Sequence, residues 1–148
     1  MDDLPVDATT FGRMTCCGKA MHLHCRRDVQ TSKMYRALKS RCPECRTKYP
    51  PSAEGTVKQI REWVDKGKAW AQTSLANSYK FGTGVPQSYE DAIEYYNMAI
   101  KQGDPNAMHQ LANMYFRGEG VAQLFQKAAE LSALAANQGH AGAQYLLG

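Results

Sequence analysis

The chain lacks several features that mark large classes of protein. No stretch of its 148 residues is apolar for long enough to span a bilayer, and its first residues have neither the basic start nor the apolar run of a secretory signal. No phosphate-binding glycine loop, Ser-His-Asp set or pair of catalytic carboxylates can be identified. We therefore expect a soluble protein of the cytoplasm or nucleus, with no membrane partner and no independent enzymatic activity.

Cysteine is absent after residue 45, and an excess of positive charge is absent after residue 50. Residues 1–50 carry ten basic and five acidic side chains, whereas residues 51–148 carry eight and nine. A basic segment could contact nucleic acid or an acidic protein, but Tyr35 is the single aromatic residue among its basic residues, so nucleic-acid binding is disfavoured. The uneven composition predicts two modules rather than one uniform domain.

The five cysteines lie close together in the first module. Their odd number and an intracellular location both disfavour disulfides, so metal binding is the leading interpretation and incidental free thiols are the alternative. Zinc prefers four thiolate or imidazole ligands in a tetrahedron, and a Cys-x-x-Cys turn supplies two of them. The candidate ligands are Cys16, Cys17, His22, Cys25, Cys42 and Cys45, with His24 as a less favoured substitute for His22.

Residues 14–48 resemble the latter three quarters of a RING finger. The resemblance is carried by Cys17-Gly18-Lys19, which is followed by the ligand pair His22 and Cys25, and by the closing Cys42-Pro43-Glu44-Cys45. It implies two cross-braced metal sites, with Lys19 in the place of a histidine ligand. One site is complete in this sequence and consists of Cys16, Cys17, Cys42 and Cys45. We therefore expect one tightly bound zinc ion in each chain, holding a head at residues 1–50.

The same resemblance implies an alternative function, that of a RING-type ubiquitin-protein ligase. RING fingers recruit a ubiquitin-conjugating enzyme, and Pro43 occupies the family's contact position. Arg46 directly follows the last ligand, where the family often places a cation that braces ubiquitin. The family's other contact loop, which lies between its first two ligands, has no counterpart in this sequence.

The second module repeats itself at an offset of 36 residues. Nine identities at fixed offsets, glycines among them, are hard to obtain by chance and indicate a repeat architecture. The recurring pairs are Ala71 and Ala107, Leu75 and Leu111, Tyr79 and Tyr115, Gly82 and Gly118, Gly84 and Gly120, Val85 and Val121, Ala92 and Ala128, Ala99 and Ala135, and Gly103 and Gly139. One position breaks the pattern, since Tyr96 is replaced by Ser132.

The spacing within each copy predicts a hairpin of two helices, because apolar residues four apart share one helix face. Gly82 and Gly84 lie between the helices, where a chain leaving a helix commonly needs a positive φ. Gly103 closes the second helix, and Asp104-Pro105 opens the next hairpin as an N-cap with proline at the first helical position. In the second copy, no Ser or Asp provides an N-cap for the second helix.

These residues resemble the Sel-one-like repeat, a relative of the tetratricopeptide repeat, most specifically in their Gly-x-Gly-Val turns. The predicted fold is thus mostly α, an α-α superhelical repeat solenoid with a small zinc-stabilised head. We expect repeats over 68–148, divided as 68–103, 104–139 and a partial third copy at 140–148, after a linker and capping helix at 51–67. A chain that stops at Gly148 leaves an apolar face uncovered, so we expect a fragment or an association through that end.

The Sel-one-like resemblance implies a protein-binding surface on the concave face made by the first helices. Asn77 recurs as Asn113, and Lys80 and Arg117 lie near the ends of the same helices. Such amides and cations suit a peptide backbone or a carboxylate. We therefore predict a zinc-binding adaptor that binds other proteins through these four residues; the alternative is that they are polar side chains facing water.

Overall fold

The computed structural model describes the backbone of residues 11–13, 20–22 and 52–147, and the side chains of residues 52–144. The described part is mostly helical. Its helices are α1 (Ala53–Asp65), α2 (Ala69–Phe81), α3 (Tyr89–Lys101), α4 (Pro105–Arg117), α5 (Phe125–Asn137) and α6 (Ala141–Leu147). Helices α2 and α3 form the first hairpin and α4 and α5 the second, which confirms the predicted helical repeat solenoid.

Two short strands precede the helices. Strand β1 (Phe11–Arg13) pairs antiparallel with strand β2 (Ala20–His22), with Phe11 opposite His22 and Arg13 opposite Ala20. The segment of sequence between the strands contains Cys16 and Cys17. The predicted RING-like head otherwise lies outside the described residues.

The helix starts follow local capping chemistry. The Ser52 hydroxyl accepts a hydrogen bond from the Gly55 amide at 3.2 Å, and Ser88 does the same for Asp91 at 3.2 Å. Asp104 accepts from the Asn106 amide at 3.0 Å and is followed by Pro105 as the first residue of α4, as the sequence predicts. Helix α5 has Leu124 at its N-cap and no side-chain cap, yet it begins 36 residues after α3.

Small side chains bring the helices together. The core between the two hairpins contains Tyr96 from α3 and Leu111 and Met114 from α4, surrounded by alanines of both hairpins. A second core joins α1 to the first hairpin through Val57, Ile60, Ala71 and Leu75. Because each hairpin buries an apolar face against its neighbour, contacts between adjacent repeats stabilise the stack in addition to those within each hairpin.

The second glycine of each turn marks a close approach between repeats. Gly120 has a φ of +69°, and a Cβ atom there would lie 2.2 Å from Cβ of Tyr89, the first residue of α3. Gly84 has a φ of +74°, and its Cβ would lie 2.5 Å from the backbone of Ala53, the first residue of α1. Glycine is therefore required here by both conformation and space. The first turn therefore packs against the start of α1, and the second turn packs against the start of α3.

Candidate functional site

The two hairpin turns are held by a glutamine that the sequence analysis missed. Gln87 Nε2 donates to the Lys80 carbonyl oxygen at 2.9 Å, and Gln123 Nε2 donates to the Phe116 carbonyl oxygen at 2.8 Å. Both bonds satisfy a carbonyl in the last turn of a first helix, where the helix itself offers no partner. The recurrence of glutamine at an offset of 36 residues was the signal in the sequence. The two turns are thus matched in their side-chain bonds as well as in their glycines.

A buried tyrosine of the first hairpin lies in the core between the two hairpins. Tyr96 is fully buried, and its hydroxyl donates to Asn77 Oδ1 at 2.5 Å. Burial in the core, together with the nearby carboxylate of Glu119, raises the pKa of Tyr96 well above its ordinary value, so the hydroxyl stays protonated. Asn77 was predicted to bind a peptide, but its amide oxygen serves as the internal partner of this phenol.

Lys80 and Arg117, also predicted to bind a peptide, meet at one carboxylate. Lys80 Nζ lies 3.1 Å from Glu119 Oε2, and Arg117 lies 3.6 Å from Glu119 Oε1. The side chain of Lys80 is buried, whereas that of Arg117 remains 67% exposed. The ion pair of Lys80 joins the end of α2 to the turn of the next repeat. Of the two cations, Arg117 is the one placed to meet a partner in solvent.

The second hairpin has a cleft on one face. Ser132 stands where the first hairpin has Tyr96, and Ala129 stands where it has Ile93. A cleft of about 320 Å³ lies beside these two side chains, between α4 and α5. The cleft is lined by Ala112, Asn113, Phe116, Arg117, Phe125, Ala128, Ala129 and Ser132. Asn113, the last of the four predicted binding residues, lines this cleft together with Arg117.

Two exposed aromatic rings flank this cleft. Phe116 is 57% exposed and Phe125 is 59% exposed, and their rings meet edge to face with centroids 5.5 Å apart. Exposed aromatic rings beside a concave surface and an arginine are the composition that protein-binding surfaces favour. We call the cleft, these two rings and Arg117 the second-hairpin groove.

The junctions after the two hairpins also differ. In the first, the Thr73 hydroxyl donates to the Asp104 carboxylate. In the second, the equivalent residues are His109 and His140, whose rings stack with centroids 4.6 Å apart. Burial, and then the proximity of His140 and Lys80, lowers the pKa of His109. His109 Nε2 also lies 3.2 Å from Asn113 Nδ2, so the histidine pair borders the groove.

The side chains of the predicted zinc ligands lie outside the described part of the chain. The backbone of His22 lies in β2, while Cys16, Cys17, Cys25, Cys42 and Cys45 are outside the described residues, as are Pro43 and Arg46. Within the described residues, no group of three or more Cys, His, Asp or Glu side chains is placed to hold a metal ion. Nor does that part of the chain contain a helix long and apolar enough to cross a bilayer.

Hairpins of equal length that repeat every 36 residues define a helical solenoid. The family model of the Sel1 repeat matches residues 71–104 and 105–140, so this part of the chain consists of two Sel1 repeats. A solved Sel1 repeat protein from Oxalobacter formigenes is similar, with 33% identity and a TM-score of 0.64 over 67% of this chain and 29% of that one. These findings confirm the resemblance to Sel-one-like repeats.

Two further solved structures share the fold. The first is c5321, a protective antigen present in uropathogenic Escherichia coli strains displaying an SLR fold, with 27% identity and a TM-score of 0.62 over 67% of this chain and 21% of that one. The second is Helicobacter pylori cysteine rich protein B, with 15% identity and a TM-score of 0.60 over 83% of this chain and 89% of that one. The chain spans less than a third of the Oxalobacter formigenes protein and of c5321. No curated protein matches it.

Proposed function

We propose that this protein is an adaptor whose Sel1 repeats bind a segment of another protein. The observation that carries the proposal is the pair of Sel1 repeats at residues 71–104 and 105–140, which present the exposed rings Phe116 and Phe125. Aromatic anchors and arginine supply most of the binding free energy at many protein interfaces. Arg117 at the rim adds a cation that can pair with a carboxylate of the partner.

A selection from a library of random peptides tests this function directly. We expect the intact chain to select peptides whose binding weakens at least tenfold in the Phe125→Ala variant, a loss typical of an anchoring aromatic side chain. Phe81→Ala is the matched control, because Phe81 is 66% exposed on the first hairpin, away from the groove. Peptides that bind both variants equally, or the absence of any binder, would contradict the proposed function.

We also propose that residues 1–50 form a zinc-binding head. Its support is the donor set itself, in which two residues separate Cys42 from Cys45, and Cys16 and Cys17 supply a second pair. Strands β1 and β2 pair antiparallel, and Cys16 and Cys17 lie between these two strands in the sequence. Thiolate ligands persist where thiols stay reduced, which favours the cytoplasm or nucleus.

Metal analysis of the purified chain tests the zinc head. We expect one zinc ion per chain, and we expect the Cys42→Ser variant to lose it while the helices of residues 52–147 keep their circular dichroism signal. Bound zinc contributes roughly 10 to 16 kcal/mol to folding in small finger peptides, so its loss should unfold the head. A count of two ions, or of none, would refute the single-site assignment.

A ubiquitin-protein ligase is the second candidate function, favoured by Cys42-Pro43-Glu44-Cys45-Arg46. In this proposal Pro43 contacts a ubiquitin-conjugating enzyme and Arg46 braces ubiquitin, while the repeats bind the substrate. The assay combines the chain with conjugating enzyme, ubiquitin and ATP. Formation of ubiquitin chains that is lost in the Arg46→Ala variant would support the ligase. Ubiquitin-chain formation no faster than with the conjugating enzyme alone would contradict the ligase and leave the adaptor proposal.

A further inference from the structure

The junctions that follow the two hairpins begin the next helix with different chemistry. In the first junction, Asp104 caps α4, and its carboxylate also accepts a hydrogen bond from Thr73. In the second junction, His140 and His109 stand at the equivalent positions, 36 residues further along the chain. A carboxylate keeps its charge and its bonds between pH 5.5 and pH 7.5, whereas the bonds of a histidine depend on its protonation state. The second junction is therefore the one whose bonds can respond to pH.

His140 is the residue that caps α6. Its ring is buried, and its Nδ1 accepts a hydrogen bond from the backbone amide of Ala143 at 3.1 Å. Its Nε2 lies 3.1 Å from Oδ1 of Asn106, an oxygen that can only accept, so Nε2 carries the proton of the neutral ring. A second proton would go to Nδ1, where it would point at the Ala143 amide. Both bonds are thus made together only by the neutral ring.

The capped amide belongs to the residue that packs α6 on the second hairpin. Ala143 is fully buried, in a small core that α6 shares with α4 and α5. A Cβ on Gly142 would lie 3.1 Å from Cε1 of His140 and 3.5 Å from Nε2 of His109, so the backbone of α6 lies directly against both rings. Loss of the cap would therefore loosen the packing of α6 at the same place.

The surroundings of the two rings oppose a second proton. The rings stack with centroids 4.6 Å apart, so a charge on one disfavours a charge on the other, and Lys80 of α2 acts on His109 in the same direction. Residues 131–147, which include the second half of α5 and all of α6, contain no Asp, Glu, Lys or Arg. Around these elements the other charged residues are Lys101, which is exposed at the end of α3, Asp104, whose carboxylate bonds to Thr73, and Arg117, which pairs with Glu119.

We propose that the second junction is a pH-sensitive hinge, in which protonation of His140 at Nδ1 releases the start of α6 from the second hairpin. At neutral pH the neutral ring caps α6 and holds it on α5. Below the ordinary pKa of histidine, about 6.5, the open form binds a proton that the capped form cannot accept, so the open form gains population as the pH falls. The hinge goes beyond the proposed function and is tested without a partner.

Nuclear magnetic resonance of the intact chain tests the hinge. Nitrogen-15 spectra at pH 7.5 should show His140 neutral with its proton on Nε2. The protection of the Ala143 amide against hydrogen exchange, corrected for the intrinsic rate at each pH, should fall about tenfold between pH 7.5 and pH 5.5, since one pH unit below 6.5 raises the open fraction about tenfold. The Asp91 amide, which the Ser88 hydroxyl caps, should keep its protection. A proton on Nδ1 of His140 at pH 7.5, or an unchanged protection of Ala143, would overturn the proposal.

The first junction supplies the matched variants. H109T removes the neighbouring ring and leaves the histidine cap, so it should retain the tenfold change at Ala143. The double variant H109T/H140D rebuilds the hydroxyl and carboxylate of the first junction, and it should hold the protection of Ala143 constant over the same range. A tenfold change that persists in H109T/H140D would overturn the proposal. A change already lost in H109T would overturn it as well, because His109 would then be the group that responds to pH.

Discussion

The first and second hairpins have nearly the same backbone and differ in what lies between their helices. In the first, Tyr96 is bonded to Asn77 and packs with Leu111 and Met114 of α4; in the second, Ser132 and Ala129 line a cleft. The glycines of both turns have φ values near +70°, and both turns have the same glutamine hydrogen bond. The backbone of the hairpin therefore does not depend on whether tyrosine or serine stands at this position. The repeat therefore supplies the scaffold, and the side chains that differ between its two copies give each hairpin its own surface.

The largest expected effect comes from opening the first hairpin in the same way. Tyr96→Ser should lower the free energy of unfolding by about 4 kcal/mol, because it removes a fully buried aromatic ring and its hydrogen bond. Urea unfolding followed by circular dichroism measures this change. Tyr96→Phe, which removes only the hydroxyl, should cost about 1 kcal/mol. If Tyr96→Ser cost no more than that control, the ring would not be the filling of the hairpin.

The turn glycines should show the next largest effect. Gly120→Ala should cost about 3 kcal/mol, because its methyl group would collide with Tyr89 in addition to straining a positive φ. Gly139 also has a positive φ of +81°, but no atom lies within 4 Å of a Cβ there. Gly139→Ala should therefore cost only about 1 kcal/mol. Equal losses of thermal stability in the two variants would show that the turn does not rest on α3.

A smaller effect is expected at the start of α5, where Leu124 occupies the N-cap that Ser88 occupies in α3. Leu124→Ser should stabilise the protein by about 1 kcal/mol, since it adds the missing cap. Ser88→Ala should remove a similar amount from the first hairpin. The two variants are compared by their midpoints in urea. A loss of stability in Leu124→Ser would mean that the half-exposed leucine has a packing role that outweighs a cap.

The smallest expected effect depends on pH and concerns the junctions. Burial lowers the pKa of His109 in the folded chain below the value of about 6.5 expected in the unfolded chain. The unfolded chain therefore binds the proton more readily, so stability is retained above pH 6.5 and decreases as the pH falls below it. His109→Thr, which restores the residue of the first junction, should reduce this dependence between pH 7.5 and pH 5.5. Identical pH profiles for the two proteins would contradict the role of His109.

The sequence alone predicted the frame of this molecule well, because helix hairpins follow from local rules. The recurring glycines indicated both turns, and Asp104 with Pro105 indicated the start of α4. The groove was not predicted. Ser132 was recognised as a break in the repeat. The shape of the cleft that it lines depends on how α4 and α5 pack, and residue spacing does not reveal this packing.

The candidate binding residues were predicted less completely for a related reason. Asn77 and Asn113 are the same residue at equivalent positions, yet one is bonded to a buried phenol and the other lines an open cleft. Lys80 was expected at the surface and is instead buried against Glu119, which comes from the next repeat. Contacts between helices, both within a hairpin and between repeats, decided these outcomes, and helical periodicity does not predict them.

A crystal structure of the S132Y variant would test the central claim most directly. If the two hairpins are equivalent copies of one repeat, the introduced hydroxyl will be bonded to Asn113 Oδ1, as Tyr96 is bonded to Asn77. The backbone of α4 and α5 will stay in place. A hydroxyl that points away from Asn113, or helices that separate to admit the ring, would show that the two hairpins are not equivalent.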